Sequence, residues 1–147
     1  MTAEPRLSYT IGRLERLLRR RLSTAIEPTG LTLPAYTALS VLRVQDGLSN
    51  AQLARRSLVT PQSMSEVLAL LVELGYVTRR AEPGHGRVMR TELTPAGRRA
   101  LTRCDRAVDT FERELLGPLD DDEAAVFQDA LVRCSRALEH ELAQVAR

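Results

Sequence analysis

Cysteine is scarce in this sequence of 147 residues: Cys104 and Cys134 are the only two. Two thiols are too few for a disulfide framework, and their spacing is not that of a metal site. Histidine is as scarce, with only His85 and His140, and neither stands in a metal-binding or triad-like context. No Gly-rich loop of the Walker or dinucleotide type cradles a phosphate. Ser63 and Ser65 lie in a helical stretch without a GxSxG elbow. No catalytic residue, metal ligand or cofactor is therefore expected, and the chain reads as something other than an enzyme. Lysine is missing too; all 21 basic residues are arginine, a usage that carries no mechanism of its own.

Long apolar runs are also lacking. None approaches the roughly 18 residues of a membrane span, so no membrane partner is expected. The opening MTAEPRLSY has neither the basic start nor the apolar stretch of a signal peptide, which makes the cytoplasm the expected compartment. There are no internal repeats and no low-complexity linker. What remains is 44% hydrophobic and 27% charged, the balance of a soluble globular chain of a length that suits one domain, 1–147.

Charge is unevenly spread. Residues 1–48 carry 7 Arg against 4 acids, residues 49–100 carry 8 against 4, and residues 101–147 carry 6 against 11. The segments are therefore +3, +4 and −5, which sum to the net +2. A basic middle and an acidic end suggest that the middle faces a polyanion.

The periodicity is mostly helical. Leu7, Ile11, Leu14, Leu18, Leu22 and Ala25 recur at steps of 3 and 4, until Pro28 and Gly30 stop the pattern. Thr32 before Leu33-Pro34 is an N-cap with Pro in the first turn, opening a helix on Ala35, Leu39 and Leu42. Ser49 and Gln52 have the spacing of a capping box. After a break at Leu58-Val59, Thr60-Pro61 starts a helix with Met64, Val67, Leu68 and Leu71 inward and Gly75 at its end. These two short helices make a helix-turn-helix. From Tyr76 the period changes: 76–80 and 88–93 are short, partly alternating stretches around a turn-rich segment, which predicts a hairpin. Thr94-Pro95 caps a helix on Leu101, Cys104, Val108, Phe111 and Leu115. Asp120 and Glu123 form a second capping box, where acids suit the helix dipole. The last helix runs on Phe127, Leu131, Cys134, Leu138, Leu142 and Val145.

This order points to DNA. The first turns of the helix at Thr60 carry Thr60, Gln62, Ser63 and Ser65, where a recognition helix meets base edges in the major groove. Gln pairs bidentately with adenine, and Ser tolerates bases or phosphate. A basic hairpin behind a helix-turn-helix is a wing. An extended Arg suits the minor groove, where the negative potential is strongest. Arg87, in the stretch AEPGHGRVMRTE, is the candidate for insertion. Arg79, Arg80 and Arg90 flank it as candidates for neutralising phosphates, and Arg55 and Arg56 lie within reach of the backbone as well.

The segments LTLPAYTALSVL and LSNAQLARRSLVTPQSMSEVLALLVELGYVTRR, then a Gly/Pro turn with Arg and LTPAG, together resemble the MarR family of winged helix-turn-helix regulators. The similarity covers about residues 31–99. It implies a mostly α fold with a small β-hairpin wing, in which a DNA-binding lobe at 32–97 is flanked by dimerisation helices at 5–28 and 98–146. It also implies a homodimer on a pseudo-palindromic operator of double-stranded DNA. The family's wing carries Asp-x-Arg at its tip; counting back from Leu93, the Arg falls on Arg87, whereas the Asp position is His85. The orienting carboxylate is absent unless Glu82 bends in to replace it.

The dimer is expected without the family as well. Apolar stripes at 7–26, 98–116 and 122–145 exceed what a small winged helix can cover, so a second chain is the expected cover. Many family members release DNA when a small aromatic or lipophilic effector enters the gap beside the DNA-binding lobe. Here Tyr9 and Tyr36 are the ligand-binding candidates. The expected function is thus a ligand-responsive repressor. One alternative is a protein-interaction module that has lost DNA, suggested by the acidic last helix and by Glu66 on the recognition helix. Another is a thiol-based redox sensor. Against that, Cys104 and Cys134 both fall on apolar stripes, where a buried, inert thiol is expected.

Overall fold

A computed structural model describes residues 5–145. Residues 1–4 and 146–147, the outermost parts of the expected single domain and of its last helical span, lie outside the described residues. The chain divides into two compact units, the first ending at Phe111 and the second beginning at Glu112.

The first unit holds α1 (Leu7–Ile26), a 3-10 turn (Glu27–Thr29), α2 (Leu33–Val44), β1 (Leu48–Ser49), α3 (Asn50–Arg56), α4 (Pro61–Glu73), β2 (Val77–Glu82), β3 (His85–Leu93) and most of α5 (Pro95–Leu116). The mostly α architecture with a hairpin wing is the one the sequence predicts. β1 was not foreseen. At two residues it is too short to show alternation, yet it pairs with β3, Leu48 opposite Thr91 and Ser49 opposite Arg90, giving the sheet order β1-β3-β2.

Short polar side chains set the helix starts by accepting from backbone N–H groups that no helical carbonyl reaches. Thr32 accepts from Ala35 N at 3.3 Å, and Thr60 from Ser63 N at 3.1 Å. Ser49 and Gln52 form the full capping box, at 3.3 Å and 3.0 Å. The turn between α3 and α4 places Leu58 at φ 55°, a left-handed conformation that a Cβ resists. The turn is held by Val59 N donating to Ala54 O at 3.0 Å.

Inside this unit α2, α3, α4, the sheet and α5 enclose one apolar core. Leu39, Leu42, Leu53, Leu68 and Leu71 are fully buried, and Ile26 brings the end of α1 into it. Val67, expected inward, is only half-buried at the edge. Thr94 ties the hairpin to α5, donating to Gly75 O at 2.7 Å and accepting from Gly97 N at 3.0 Å. A Cβ at Gly97 would sit 2.1 Å from Tyr76 O. Glycine is therefore required there, because two backbones touch.

The second unit, taken by itself, is the end of α5 and α6 (Asp121–Val145). Asp120 and Glu123 close their capping box at 2.8 Å and 3.0 Å. No residue of α6 is buried. That corrects the expectation of a buried thiol at Cys134, which is exposed in the single chain, whereas Cys104 on α5 is buried.

The hairpin is longer than its alternation suggests. The ladder runs from Val77 opposite Leu93 to Ala81 opposite Met89, and the register then jumps so that Glu82 faces His85. The turn shrinks to Pro83-Gly84, with Gly84 at φ 80°; this pair is what a type II turn requires at its centre. Gly86, Arg87 and Val88 are passed over by the jump and form a bulge on β3.

Candidate nucleic-acid interface

The exposed start of α4 follows from its cap. Thr60 spends its hydroxyl locally, accepting from Ser63 N and donating to Ser63 Oγ at 2.9 Å. Ser63 keeps its own hydroxyl proton to donate outward. Gln62 is exposed and makes no side-chain hydrogen bond with a described residue. Ser65 is placed differently: its hydroxyl donates to Pro61 O at 2.9 Å and accepts from Asn50 Nδ2 at 3.2 Å. Asn50 also donates to Pro61 O at 3.0 Å. Asn50 and Ser65 thus fix the angle between α3 and α4, and Ser65 has less left to offer a base. The only sequence signal for this role of Asn50 is its place just behind the capping Ser49.

On the wing, Arg79 and Arg80 are exposed, and Arg80 Nε stands 3.7 Å from Glu92 Oε2. Arg87, at the centre of the bulge, is exposed and has no ion pair or hydrogen bond with a described residue. Bulges commonly re-aim a side chain out of a sheet. Glu82 does not bend in to replace the missing Asp. Its carboxylate pairs with Arg90 Nη2 instead. Arg90 Nη1 donates to Gly47 O at 3.3 Å and to Gln52 Oε1 at 3.0 Å. The expectation that Arg90 neutralises a phosphate therefore meets a guanidinium whose donors are turned into the protein. Arg55 and Arg56 are exposed at the end of α3.

Asp46 holds the base of the sheet in a way the sequence does not reveal. It accepts from Leu93 N at 2.9 Å and from Gly47 N at 3.2 Å, and it faces Arg98 at 3.4 Å.

The two ligand candidates are not brought together as one site. Tyr9 is exposed on α1. Tyr36 packs against the core and donates to Asp105 Oδ1 at 3.2 Å, while Arg43 pairs with the other carboxylate oxygen. Burial, and then the Asp105 charge, push the Tyr36 phenol above its ordinary pKa. A cleft of about 590 Å³ opens between α1 and the start of α2, beside Arg19, Ser23, Glu27 and Thr32, and neither tyrosine lines it. Cys104 lies 3.2 Å from Thr29 Oγ1, and burial raises its thiol pKa. Among the described residues no group of three His, Cys, Asp or Glu could hold a metal, and no helix is long and apolar enough to cross a membrane.

A helix-turn-helix with an exposed polar helix start, backed by a three-stranded sheet whose hairpin carries unpaired arginine, defines the winged-helix class of DNA-binding proteins. The model of the MarR family matches residues 29–88. The HTH-type transcriptional repressor Rv2887 of Mycobacterium tuberculosis is 39% identical over 113 residues, spanning 77% of this chain and 81% of that protein. The chain belongs to the MarR family. The crystal structure of Rv2887 in complex with DNA superposes at a TM-score of 0.76, with 34% identity over 89% of this chain and 98% of the other. The Rv2887 complex with salicylic acid superposes at 0.75, again with 34% identity, over 91% of this chain and 99% of the other.

Proposed function

We propose that this chain is a transcriptional repressor that binds operator DNA as a homodimer and lets go when a small aromatic carboxylate binds. The observation that carries the reading is the pairing of an outward-facing Gln62 and Ser63 at the start of α4 with an unpaired Arg87 in the wing bulge. The first two suit base edges in the major groove, and the third suits the minor groove. Thr60 caps the reading helix, and Arg79 and Arg80 answer phosphates. The Rv2887 complexes with DNA and with salicylic acid support the same assignment and give the effector its chemical class.

The exposed apolar residues of α1 and α6, among them Leu7, Ile11, Leu138 and Leu142, support a second copy as their cover. Two such lobes place two reading helices about one DNA turn apart. An effector relieves repression to the extent that it prefers the other spacing; a tenfold loss of DNA affinity takes about 1.4 kcal/mol of such preference. The reading is of a regulator with no catalytic role, and Cys104, buried and held as a thiol, gives a redox sensor little to work with.

Selection of bound sequences from random DNA by the purified protein tests the reading. A pseudo-palindrome with half-site centres about 10 base pairs apart is expected. Salicylate added to the mixture should release the DNA. A selection that enriches no sequence overturns the proposal.

A further inference from the structure

Arg90 differs from the other arginines of the wing in where its charge goes. Its side chain is 33% exposed, against 74% for Arg80. Its donors reach three separate segments: Gly47 O in the α2–β1 turn, Gln52 Oε1 on α3 and Glu82 Oε1 at the end of β2. A planar guanidinium can serve carbonyls on one edge and a carboxylate on another, which the single ammonium of a Lys cannot. Glu82 stands where the register of the hairpin breaks, across from the bulge that carries Arg87. Gln52 Oε1 is meanwhile fixed by accepting from Ser49 N in the capping box.

We propose that Arg90 is the positioning residue of the wing. It clamps Glu82, and with it the bulge that carries Arg87, onto the start of the helix-turn-helix, so that Arg87 meets the DNA from a fixed strand. This rests on the DNA-binding reading given above. The clamp acts from the root of the hairpin and supplies the wing with an anchor where His85 offers no carboxylate. Arg90 in this role touches no phosphate.

The test is a double-mutant cycle on the operator, read by gel-shift titration at several salt concentrations. Arg87→Ala should weaken binding about tenfold and lower the salt slope by about one unit. Arg90→Met keeps the apolar stem and should also weaken binding about tenfold, with the salt slope unchanged. Because Arg90 acts through Arg87, the double variant should bind within about twofold of Arg87→Ala alone. A residue that contacts phosphate itself, or one whose loss loosens the whole lobe, would give additive effects of about a hundredfold. That outcome overturns the clamp. Glu82→Gln supplies an arm of opposite sign should Arg90→Met fold poorly. The clamp requires weaker binding, whereas an Arg90 that reaches phosphate would gain from removal of the competing carboxylate. A wild-type protein that selects no DNA refutes the DNA-binding reading and this inference together, while wild-type binding with additive variants refutes the inference alone.

Discussion

The lobe that ends at Phe111 and the helix α6 are both amphipathic, yet they hide their apolar residues to opposite degrees. In the lobe, Leu39, Leu42, Leu53, Leu68 and Leu71 are completely covered by neighbouring elements. Along the 25 residues of α6 no side chain is buried, and Leu138, Leu142 and Val145 are exposed at 61%, 68% and 86%. Periodicity in sequence is the same signal in both regions; it says that a face wants cover and not which chain supplies it. The lobe covers itself because five helices and a sheet converge on one core. A long helix with a full apolar stripe and no partner in its own unit is the side of the molecule that a second copy can complete. Charge divides in the same sense: +4 over residues 49–100 and −5 over residues 101–147.

The most severe way to break this contrast is Leu138→Glu. It should turn a dimer into a monomer in light scattering and cost operator affinity about a hundredfold or more, since two tethered lobes gain about 10² to 10⁴ from acting together. A variant that keeps its mass and its binding would remove α6 from the interface. Next in size is a pair of truncations. Leu39→Ala in the lobe should cost about 3 kcal/mol in urea unfolding, the usual toll of a fully buried leucine. Leu142→Ala, made in the Leu138→Glu monomer, should cost under about 1 kcal/mol. Equal costs would erase the distinction between a self-covered and an uncovered stripe.

The two thiols sharpen the contrast further. Cys104 should react with a disulfide reagent at pH 8 far more slowly than Cys134 in the Leu138→Glu monomer, because burial keeps it protonated and out of reach. In the wild-type dimer Cys134, on the covered stripe, should slow as well; fast Cys134 in both forms would place it outside the interface. The raised pKa values of Cys104 and Tyr36 have a definite sign. Both groups favour the protonated form in the folded lobe, so their contribution is intact below the ordinary thiol value of 9.0 and is lost as pH climbs above it. The smallest effect belongs to Leu58→Gly. Relief of a left-handed leucine, less the entropy a glycine brings, should leave the lobe more stable by about 0.5–1 kcal/mol in thermal melts. A lower melting temperature would show that the exposed leucine is held by packing after all.

Most of the fold could be read from residues whose message is local. Thr32, the Ser49 and Gln52 pair, Thr60, Thr94, and the Asp120 and Glu123 pair all stand within a residue of the observed helix starts. Capping is settled within one turn and needs no tertiary knowledge. β1 was not legible because two residues carry no period, and its pairing partner lies more than forty positions away. The site divides the same way. Gln62 and Ser63 stand where a helix start would put them. The fates of Ser65 and Arg90 depend on Asn50, Glu82, Gln52 and Gly47, which reach them from other elements. A count of arginines along the hairpin treats Arg87 and Arg90 alike, and only the third dimension separates the one that faces outward from the one that is held.

The contact at Gly97 has a mechanical meaning. Where α5 begins, its backbone lies directly against the Tyr76 carbonyl at the root of the hairpin, and Tyr76 O also accepts from Thr94 N at 3.0 Å. Most seams in a protein are padded by side chains that can change rotamer and absorb a small displacement. This one has no padding. A tilt of the first turn of α5 would therefore be passed undamped to the strand that leads into the wing, as through a rigid coupling and not a spring.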